Sequence, residues 1–265
     1  MGQQVIIITG ASRGLGAATA KITAQLGAYV VINARSEEAL TTVADEIHST
    51  GGTALPVSGD VSHVEDCWRL VNRTLREFGG VDAIINNAGV IEPVAFISDA
   101  DPRSWRENIE INLLGPVYLT QAALPHLRKQ KGKVVTVSSG AAVRVIEGWS
   151  AYCTAKAAIN HFNRILASEE KDITSLTFRP GAVNTEMQAI IRDEGEEGMP
   201  PETHERYTRM HREGQLLPPE VPGRALAVVC LHAPWEWSGD FISWDEEKVQ
   251  SLVEQYYPKI SDEGF

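Results

Sequence analysis

The 265-residue chain has only three cysteines, few aromatic residues and no cluster of basic residues. Cys67, Cys153 and Cys230 lie far apart and in no metal-ligand spacing, which predicts reduced thiols in a reducing compartment. The formal net charge of −11 argues against a nucleic-acid partner, because phosphate binding needs a basic surface. The seven histidines form no pair at ligand spacing, so we expect no metal site.

Long hydrophobic runs are also missing, and no stretch reaches the length that crosses a membrane. A strand-like run begins at Gln4 and leaves no room for a signal peptide. Ile6 stands where a myristoylation signal requires Ser or Thr. We therefore expect a soluble cytoplasmic protein without a membrane partner.

What the sequence does contain is an alternation of β-branched runs with segments of helical periodicity. Strands are predicted at 5–9, 29–33, 53–57, 81–86, 133–138, 173–178 and 240–244. Helices are predicted at 15–26, 37–49, 63–77, 103–130, 151–170 and 221–232. This order predicts a single α/β domain over residues 1–265, with a doubly wound parallel sheet of about seven strands and helices on both faces.

One stretch, residues 184–219, interrupts this alternation with acidic residues, glycines and four prolines. Insertions of such length between sheet elements are usually functional or mobile, so we expect a lid over the site. A static pair of surface helices is the alternative. Residues 245–265 are predicted to form a short C-terminal tail. Four acidic residues of the stretch are expected to stay in solvent: Asp193, Glu194, Glu196 and Glu197.

Gly10, Gly14 and Gly16 lie between the first predicted strand and the first predicted helix. Glycines at this turn let the backbone approach a pyrophosphate, which then rests on the helix N-terminus. The spacing is GxxxGxG rather than GxGxxG, and tight turns need glycine anyway. The position of the turn after the first strand nevertheless favours nucleotide binding.

The end of the second predicted strand indicates which nucleotide is bound. Asn33, Ala34 and Arg35 follow one another there, without the acidic residue that bonds the ribose 2′-hydroxyl in NAD sites. Arg13, in the glycine turn, supplies a second guanidinium, and two arginines suit a 2′-phosphate. Each arginine alone could simply face solvent. Both together, with the acid missing, predict NADP(H).

Tyr152 and Lys156 are four residues apart in a predicted helix, so their side chains share one face. A cation beside the phenol favours phenolate and lowers the tyrosine pKa, which is normally about 10. Such a tyrosine could exchange a proton near neutral pH. From the spacing alone, a surface pair on an amphipathic helix is the alternative.

Five motifs then occur in the order and at the positions that resemble the short-chain dehydrogenase/reductase family, over residues 4 to about 244. They are TGASRGLG at 9–16, NNAG at 86–89, SS at 138–139, YCTAK at 152–156 and RPGAVNTEM at 179–187. The resemblance implies a single-domain Rossmann fold. SAYCTAK, FRPGAVNTEMQ and SGDFISWDE are most similar to the benzil reductase and sepiapterin reductase-like branch.

The resemblance implies four catalytic residues: Ser139, Tyr152, Lys156 and Asn112. Tyr152 would give a proton to the carbonyl oxygen, with its pKa lowered by Lys156 and the positive nicotinamide. Ser139, preferred over Ser138, would bond the same oxygen. Asn112 would kink its helix and hold a water near the lysine.

The resemblance also implies contacts with the cofactor. Asp60 would bond the adenine amino group, Asn87 and its neighbours would contact the ribose, and 180–185 would hold the nicotinamide. Asp60 as a helix N-cap, and Thr185 or Ser138 as ordinary capping or turn residues, are the alternatives. The full set is Gly10, Ser12, Arg13, Gly14, Leu15, Gly16, Arg35, Asp60, Val61, Asn87, Ala88, Gly89, Tyr152, Lys156, Pro180, Gly181, Val183 and Thr185.

Hydrophobic residues near these motifs indicate an apolar, aromatic or bulky carbonyl substrate. Trp235, Trp237 and Trp244 are assigned to core or subunit contacts. The candidate substrate residues are Val143, Val145, Trp149, Met187, Ile190 and Ile191.

The expected function is NADPH-dependent reduction of a small ketone, diketone or aldehyde by a homodimer or homotetramer, with the reverse oxidation also open. A non-catalytic NADP(H)-binding sensor or scaffold is one alternative. An epimerase or dehydratase is another, but it would need a further acid/base arrangement or a larger substrate domain.

Overall fold

The computed structural model describes residues 3–257, and its centre is a parallel sheet of seven strands in the order β3-β2-β1-β4-β5-β6-β7. The order reverses between β1 and β4, which opens a crevice at the carboxyl ends of the strands. The predicted fold class is confirmed. The strands are β1 Val5–Thr9, β2 Tyr29–Ala34, β3 Thr53–Ser58, β4 Ala83–Asn86, β5 Lys133–Val137, β6 Thr174–Arg179 and β7 Phe241–Ser243.

Ten α-helices accompany these strands in the part of the chain that the structure describes, and none of them is both long and apolar enough to cross a membrane. They are α1 Gly14–Gln25, α2 Glu37–Ser49, α3 Val64–Phe78, α4 Pro102–Ile109, α5 Gly115–Gln130, α6 Ser150–Glu169, α7 Glu186–Gly198, α8 Pro201–Arg212, α9 Glu220–His232 and α10 Glu247–Tyr256.

The strands read as continuous apolar runs because helices cover both faces of the sheet. In β1, Ile6 and Ile8 face one side and pack with α1, α2 and α9. Val5 and Ile7 face the other side and pack with α3 and α5. All four side chains are buried, so the sheet is the middle layer of three.

The structure corrects the predicted helix over 103–130. Helix α4 ends at Ile109, a π-helical turn covers Glu110–Leu114, and α5 begins at Gly115. The π-turn carries Asn112, whose side chain bonds the backbone of Val90 in a loop far along the chain. Hydrophobic periodicity cannot report a turn that depends on such a distant partner.

The predicted tail at 245–265 is also corrected for its described part. Residues 247–256 form α10, which packs on the core through Val249. Its apolar residues Val249, Leu252, Val253 and Tyr256 follow the i, i+3, i+4, i+7 spacing of an amphipathic helix, a signal that the prediction of a tail did not use. Residues 258–265 lie outside the described part of the chain.

Residues 184–219 form a helix pair, α7 and α8, which we call the α7–α8 segment. Its two ends meet, because Val183 and Leu217 form a parallel bridge in which Leu217 N donates to Ala182 O at 2.8 Å. Ile191, Met199 and Tyr207 turn inward and form a third hydrophobic cluster with Trp149 and Tyr152. The four acidic residues predicted to stay in solvent are exposed on α7: Asp193, Glu194, Glu196 and Glu197.

Candidate active site

A cavity of about 1000 Å³ lies at the carboxyl ends of the strands, bounded by the glycine turn, the start of α6 and the α7–α8 segment. It brings together every predicted site residue except two, Asn112 and Val143. The volume is at the upper end for small-molecule sites and gives room for a large cofactor together with a substrate.

Tyr152 and Lys156 lie one turn apart on α6, and both side chains are buried. The Lys156 ammonium lies 5.4 Å from the centroid of the Tyr152 ring and donates a hydrogen bond to Val137 O at 2.9 Å. The end of β5 therefore fixes the lysine against the phenol. Helix α6 sets the distance between Tyr152 and Lys156, and the hydrogen bond to β5 holds the lysine in place.

Burial controls the protonation of this pair. It raises the pKa of Tyr152 to about 12, and the neighbouring Ser139 hydroxyl opposes this only in part. It lowers the pKa of Lys156 to about 8. Lost solvation of the phenolate dominates here, and the lowering of the tyrosine pKa by Lys156 together with a bound, positive nicotinamide stays a prediction. At neutral pH Tyr152 keeps its proton, which is the form that a general acid needs.

Two adjacent serines follow β5 and have different surroundings. Ser138 also lines the cavity, but it is buried and its hydroxyl already donates to Asn160 Oδ1 at 2.7 Å. Ser139 lines the cavity and its Oγ accepts from Ala141 N at 3.2 Å, which leaves the hydroxyl proton free to donate. The placement favours Ser139 over Ser138 for a role in the cavity.

Asn112 lies behind the cavity wall rather than on it. Its Nδ2 donates to Val90 O at 2.8 Å and its Oδ1 accepts from Val90 N at 3.3 Å. A Cβ added at Gly89 would lie 2.7 Å from Asn112 Oδ1 and 3.7 Å from Lys156 Nζ. Asn112 thus holds the loop after β4 close to the lysine.

The glycine turn leaves no room for side chains. Gly10 has a φ of +64°, and a Cβ there would lie 2.8 Å from Ala88 Cα. A Cβ at Gly16 would overlap the carbonyl oxygen of Gly10 and lie 2.5 Å from Asn87 Nδ2. The Asn87 amide in turn donates to Thr9 O at 2.9 Å and Gly10 O at 3.1 Å. The ends of β1 and β4 therefore form one rigid, backbone-lined cradle.

At the second-strand side of the cavity, Arg35 lines the wall, whereas the Arg13 guanidinium is paired with the Glu186 carboxylate at the start of α7. Asn33 is buried; its amide donates to Val57 O at 2.9 Å, and its Oδ1 has no partner among the described residues. Asp60 Oδ1 accepts from the backbone N and the hydroxyl of Ser62.

The N-cap position of α3 is occupied by His63, so Asp60 does not cap that helix. Thr185 occupies the N-cap position of α7, but its side chain makes no capping bond. Asp60 and Thr185 both line the cavity.

The turn after β6 carries Pro180 and Gly181, and both line the cavity together with Val183 and Thr185. Gly181 has a φ of +80°, and a Cβ there would lie 2.9 Å from Trp244 Nε1. Trp244 packs on the core and also lines the cavity, so its assignment to core or subunit contacts alone is incomplete. Trp237 packs on the same core, and Trp235 is about half exposed.

Residues 4–196 match the family model described as short chain dehydrogenase. The chain belongs to this family. It is 34% identical to a benzil reductase ((S)-benzoin forming) of Saccharomyces cerevisiae, over 93% of this chain and 97% of that protein.

Two solved structures are also similar to this chain. The crystal structure of the KRED1-Pglu enzyme has 40% identity and a TM-score of 0.87, covering 91% of this chain and 100% of that one. An alcohol dehydrogenase from Thermococcus sibiricus, solved with 5-hydroxy-NADP, has 27% identity and a TM-score of 0.78, covering 91% and 96%.

The apolar end of the cavity holds most of the predicted substrate residues. Trp149, Met187, Ile190 and Ile191 line it, and so does Val145, although most of that side chain is in solvent. Val143 lies off the cavity wall and is 65% exposed, so the structure does not support its assignment to the substrate.

Sequence reasoning missed the contribution of α8. Tyr207 and Met210 line the cavity, and Tyr207 stacks on Trp149 with 5.1 Å between ring centroids. Arg144 and Arg206 also reach the wall. The i, i+3 spacing of Tyr207 and Met210 was the available signal for an inward helix face. Among residues 3–257, no group of three or more His, Cys, Asp and Glu side chains could hold a metal ion.

Proposed function

We propose that this protein is an NADPH-dependent carbonyl reductase acting on small apolar, aromatic ketones, diketones or aldehydes. The observation that carries the proposal is the convergence of Tyr152, Lys156 and Ser139 on the cavity that also contains the glycine cradle. A proton donor, a buried cation and a hydroxyl donor beside a dinucleotide cradle suit carbonyl reduction.

The residues of the cradle fit a dinucleotide. Gly10 and Gly16 carry no side chains, so their backbone would bind the pyrophosphate at the start of α1. Arg35 would bind the 2′-phosphate, and NADP binding is supported by the 5-hydroxy-NADP in the Thermococcus sibiricus relative. When bound, the reduced nicotinamide supplies hydride to the carbonyl carbon.

The chain itself supplies the proton and the orientation. Tyr152, protonated at neutral pH, donates its phenolic proton to the carbonyl oxygen. Ser139 donates a hydrogen bond to the same oxygen and stabilises its developing charge. Lys156 stabilises the phenolate that remains, since its ammonium lies beside the ring. Asn112 acts from behind the wall by holding the loop at Gly89 and Val90.

An assay with purified protein tests this function. We expect oxidation of NADPH when benzil is added, with one hydroxyketone formed for each NADPH consumed. No consumption with benzil or with a panel of aromatic ketones and aldehydes, despite measurable NADPH binding, would favour the non-catalytic sensor.

The preference for NADPH can be tested at Arg35. Arg35→Ala should raise the dissociation constant for NADPH by about ten- to hundredfold, because a charge-assisted hydrogen bond to phosphate is lost. The constant for NADH should not change. Adding Arg13→Ala should weaken NADPH binding further, because Arg13 would exchange its Glu186 partner for the phosphate. Fluorescence titration with both cofactors measures this.

Arg73→Ala, on an exposed face of α3 outside the cavity, is the matched control. Equal losses for NADPH and NADH in Arg35→Ala would contradict the assignment of this arginine to the 2′-phosphate.

Movement of the α7–α8 segment stays a prediction. Its inward face contacts the catalytic end of the cavity through Ile191 and Tyr207, so binding should order it. Hydrogen exchange across 186–215 should be fast in the free protein and clearly slower with NADPH and a substrate analogue. Equal protection in both states would leave a static helix pair.

We also propose a cytoplasmic location and a homodimer or homotetramer. The location is supported by the free thiols of Cys67, Cys153 and Cys230, which suit a reducing compartment. Mass measurement in solution tests the assembly.

A further inference from the structure

Tyr207 is the one buried residue of α8, and it is held by aromatic contacts. Its ring stacks on Trp149 at 5.1 Å with an interplanar angle of 30°. Trp149 meets the Tyr152 ring edge-on at 5.9 Å. One indole therefore joins the catalytic phenol to a second phenol from the α7–α8 segment, and all three rings line the cavity.

The hydroxyl of Tyr207 is available to a ligand. Within residues 3–257 it has no hydrogen-bond partner, and it is not among the polar atoms sealed from solvent. Burial raises the pKa of Tyr207, so the phenol keeps its proton and can donate at neutral pH. The cations of Arg144 and Arg206 stand close enough to oppose that shift, which polarises the O–H group further.

The two phenols line the same cavity and contact the same indole, with ring centroids 5.9 Å and 5.1 Å from that of Trp149. A substrate whose first carbonyl oxygen lies at Tyr152 and Ser139 would therefore present neighbouring atoms to Tyr207. A buried donor gains most from a ligand that carries an acceptor at that place.

We infer that Tyr207 is a specificity-determining residue that donates a hydrogen bond to a second carbonyl oxygen, so that the site favours vicinal dicarbonyl compounds over monoketones. The inference rests on the proposed carbonyl reduction. One carbonyl carbon takes the hydride from NADPH, and its oxygen takes the proton from Tyr152. The second carbonyl stays bound to Tyr207 and is not reduced. The products are a hydroxyketone and NADP⁺, and Tyr152 regains a proton from solvent.

The test compares benzil with 1,2-diphenylethanone, which keeps both phenyl rings and replaces one carbonyl by CH₂. Tyr207→Phe removes only the hydroxyl and preserves the stack on Trp149. We expect kcat/KM for the diketone to fall about tenfold, the size of one hydrogen bond, with little change for the monoketone. Tyr118→Phe is the matched control, because Tyr118 lies on α5 outside the cavity, and it should change neither.

A thermal unfolding midpoint equal to that of the wild type shows that Tyr207→Phe is folded. Equal losses on both substrates, or no loss on benzil, would overturn the inference while the proposed function stands. A wild-type protein that reduces neither substrate with NADPH would overturn the proposed function and the inference with it. The two failures are distinct, because the second appears before any variant is made.

Discussion

Tyr152→Phe should lower kcat for carbonyl reduction by roughly 10²- to 10⁴-fold, the usual contribution of a general acid. The substitution keeps the ring that packs against Trp149 and removes only the proton donor. NADPH should bind with an unchanged dissociation constant, because the glycine cradle and Arg35 are not altered. Steady-state kinetics with benzil and a fluorescence titration with NADPH measure the two quantities.

The matched control for this variant is Ser138→Ala, next to Ser139 but bonded to Asn160 in the core. It should keep most of the turnover, although it loses some stability through the broken bond. Turnover near the wild-type level in Tyr152→Phe would show that another group donates the proton, and the mechanism proposed for this site would be wrong.

Lys156→Met should lose most of the activity and yet unfold at a higher denaturant concentration at pH 7. Lys156 is 4% exposed and has no carboxylate partner among the described residues; its one bond is to Val137 O. Burial lowers its pKa to about 8. At pH 7 the buried ammonium therefore lowers the free energy of unfolding by up to ~3 kcal/mol. Because the variant leaves Val137 O without its donor, we expect a net gain of about 1–2 kcal/mol.

The size of this stability gain depends on pH. Between pH 8 and the ordinary lysine value near 10.5, the unfolded chain binds more protons than the folded one. The wild type therefore gains stability as the pH rises through this range. The advantage of Lys156→Met should be largest below pH 8 and should shrink by pH 10.

Urea unfolding at pH 7 and at pH 9.5 measures this difference, with the exposed Lys129→Met as control. A variant that is less stable than the wild type at pH 7 would show that the ammonium contributes to the fold. The expected result instead identifies Lys156 as a residue kept for chemistry at a cost in stability.

The strands were predictable because the pattern that specifies each one lies within a few consecutive residues. Each is a β-branched run buried on both faces, so β1 and β2 were placed within a residue of their observed bounds. The glycine turn and the Tyr152–Lys156 spacing were readable because each is a short sequence pattern, although the contacts that require Gly10 and Gly16 are made with Asn87 and Ala88, far along the chain. Val143 could not be placed, because the direction of a loop side chain depends on distant packing.

Other features depend on partners far along the chain. The π-turn at Asn112 depends on bonds to Val90, 22 residues earlier. The raised pKa of Tyr152 depends on burial under α7 and α8, which spacing on α6 cannot report. Tyr207 joins the site only because α8 folds back on Trp149.

The bridge between Val183 and Leu217 makes the α7–α8 segment a unit that can be replaced as a whole. Both of its ends leave the sheet at one fixed point, so its closure does not depend on what lies between them. The proton donor, the lysine and the glycine cradle all lie outside it. Exchange of residues 184–216 between relatives would thus replace one substrate wall and keep Tyr152, Lys156 and the glycine cradle, while Thr185 and the burial that raises the pKa of Tyr152 would come from the new segment.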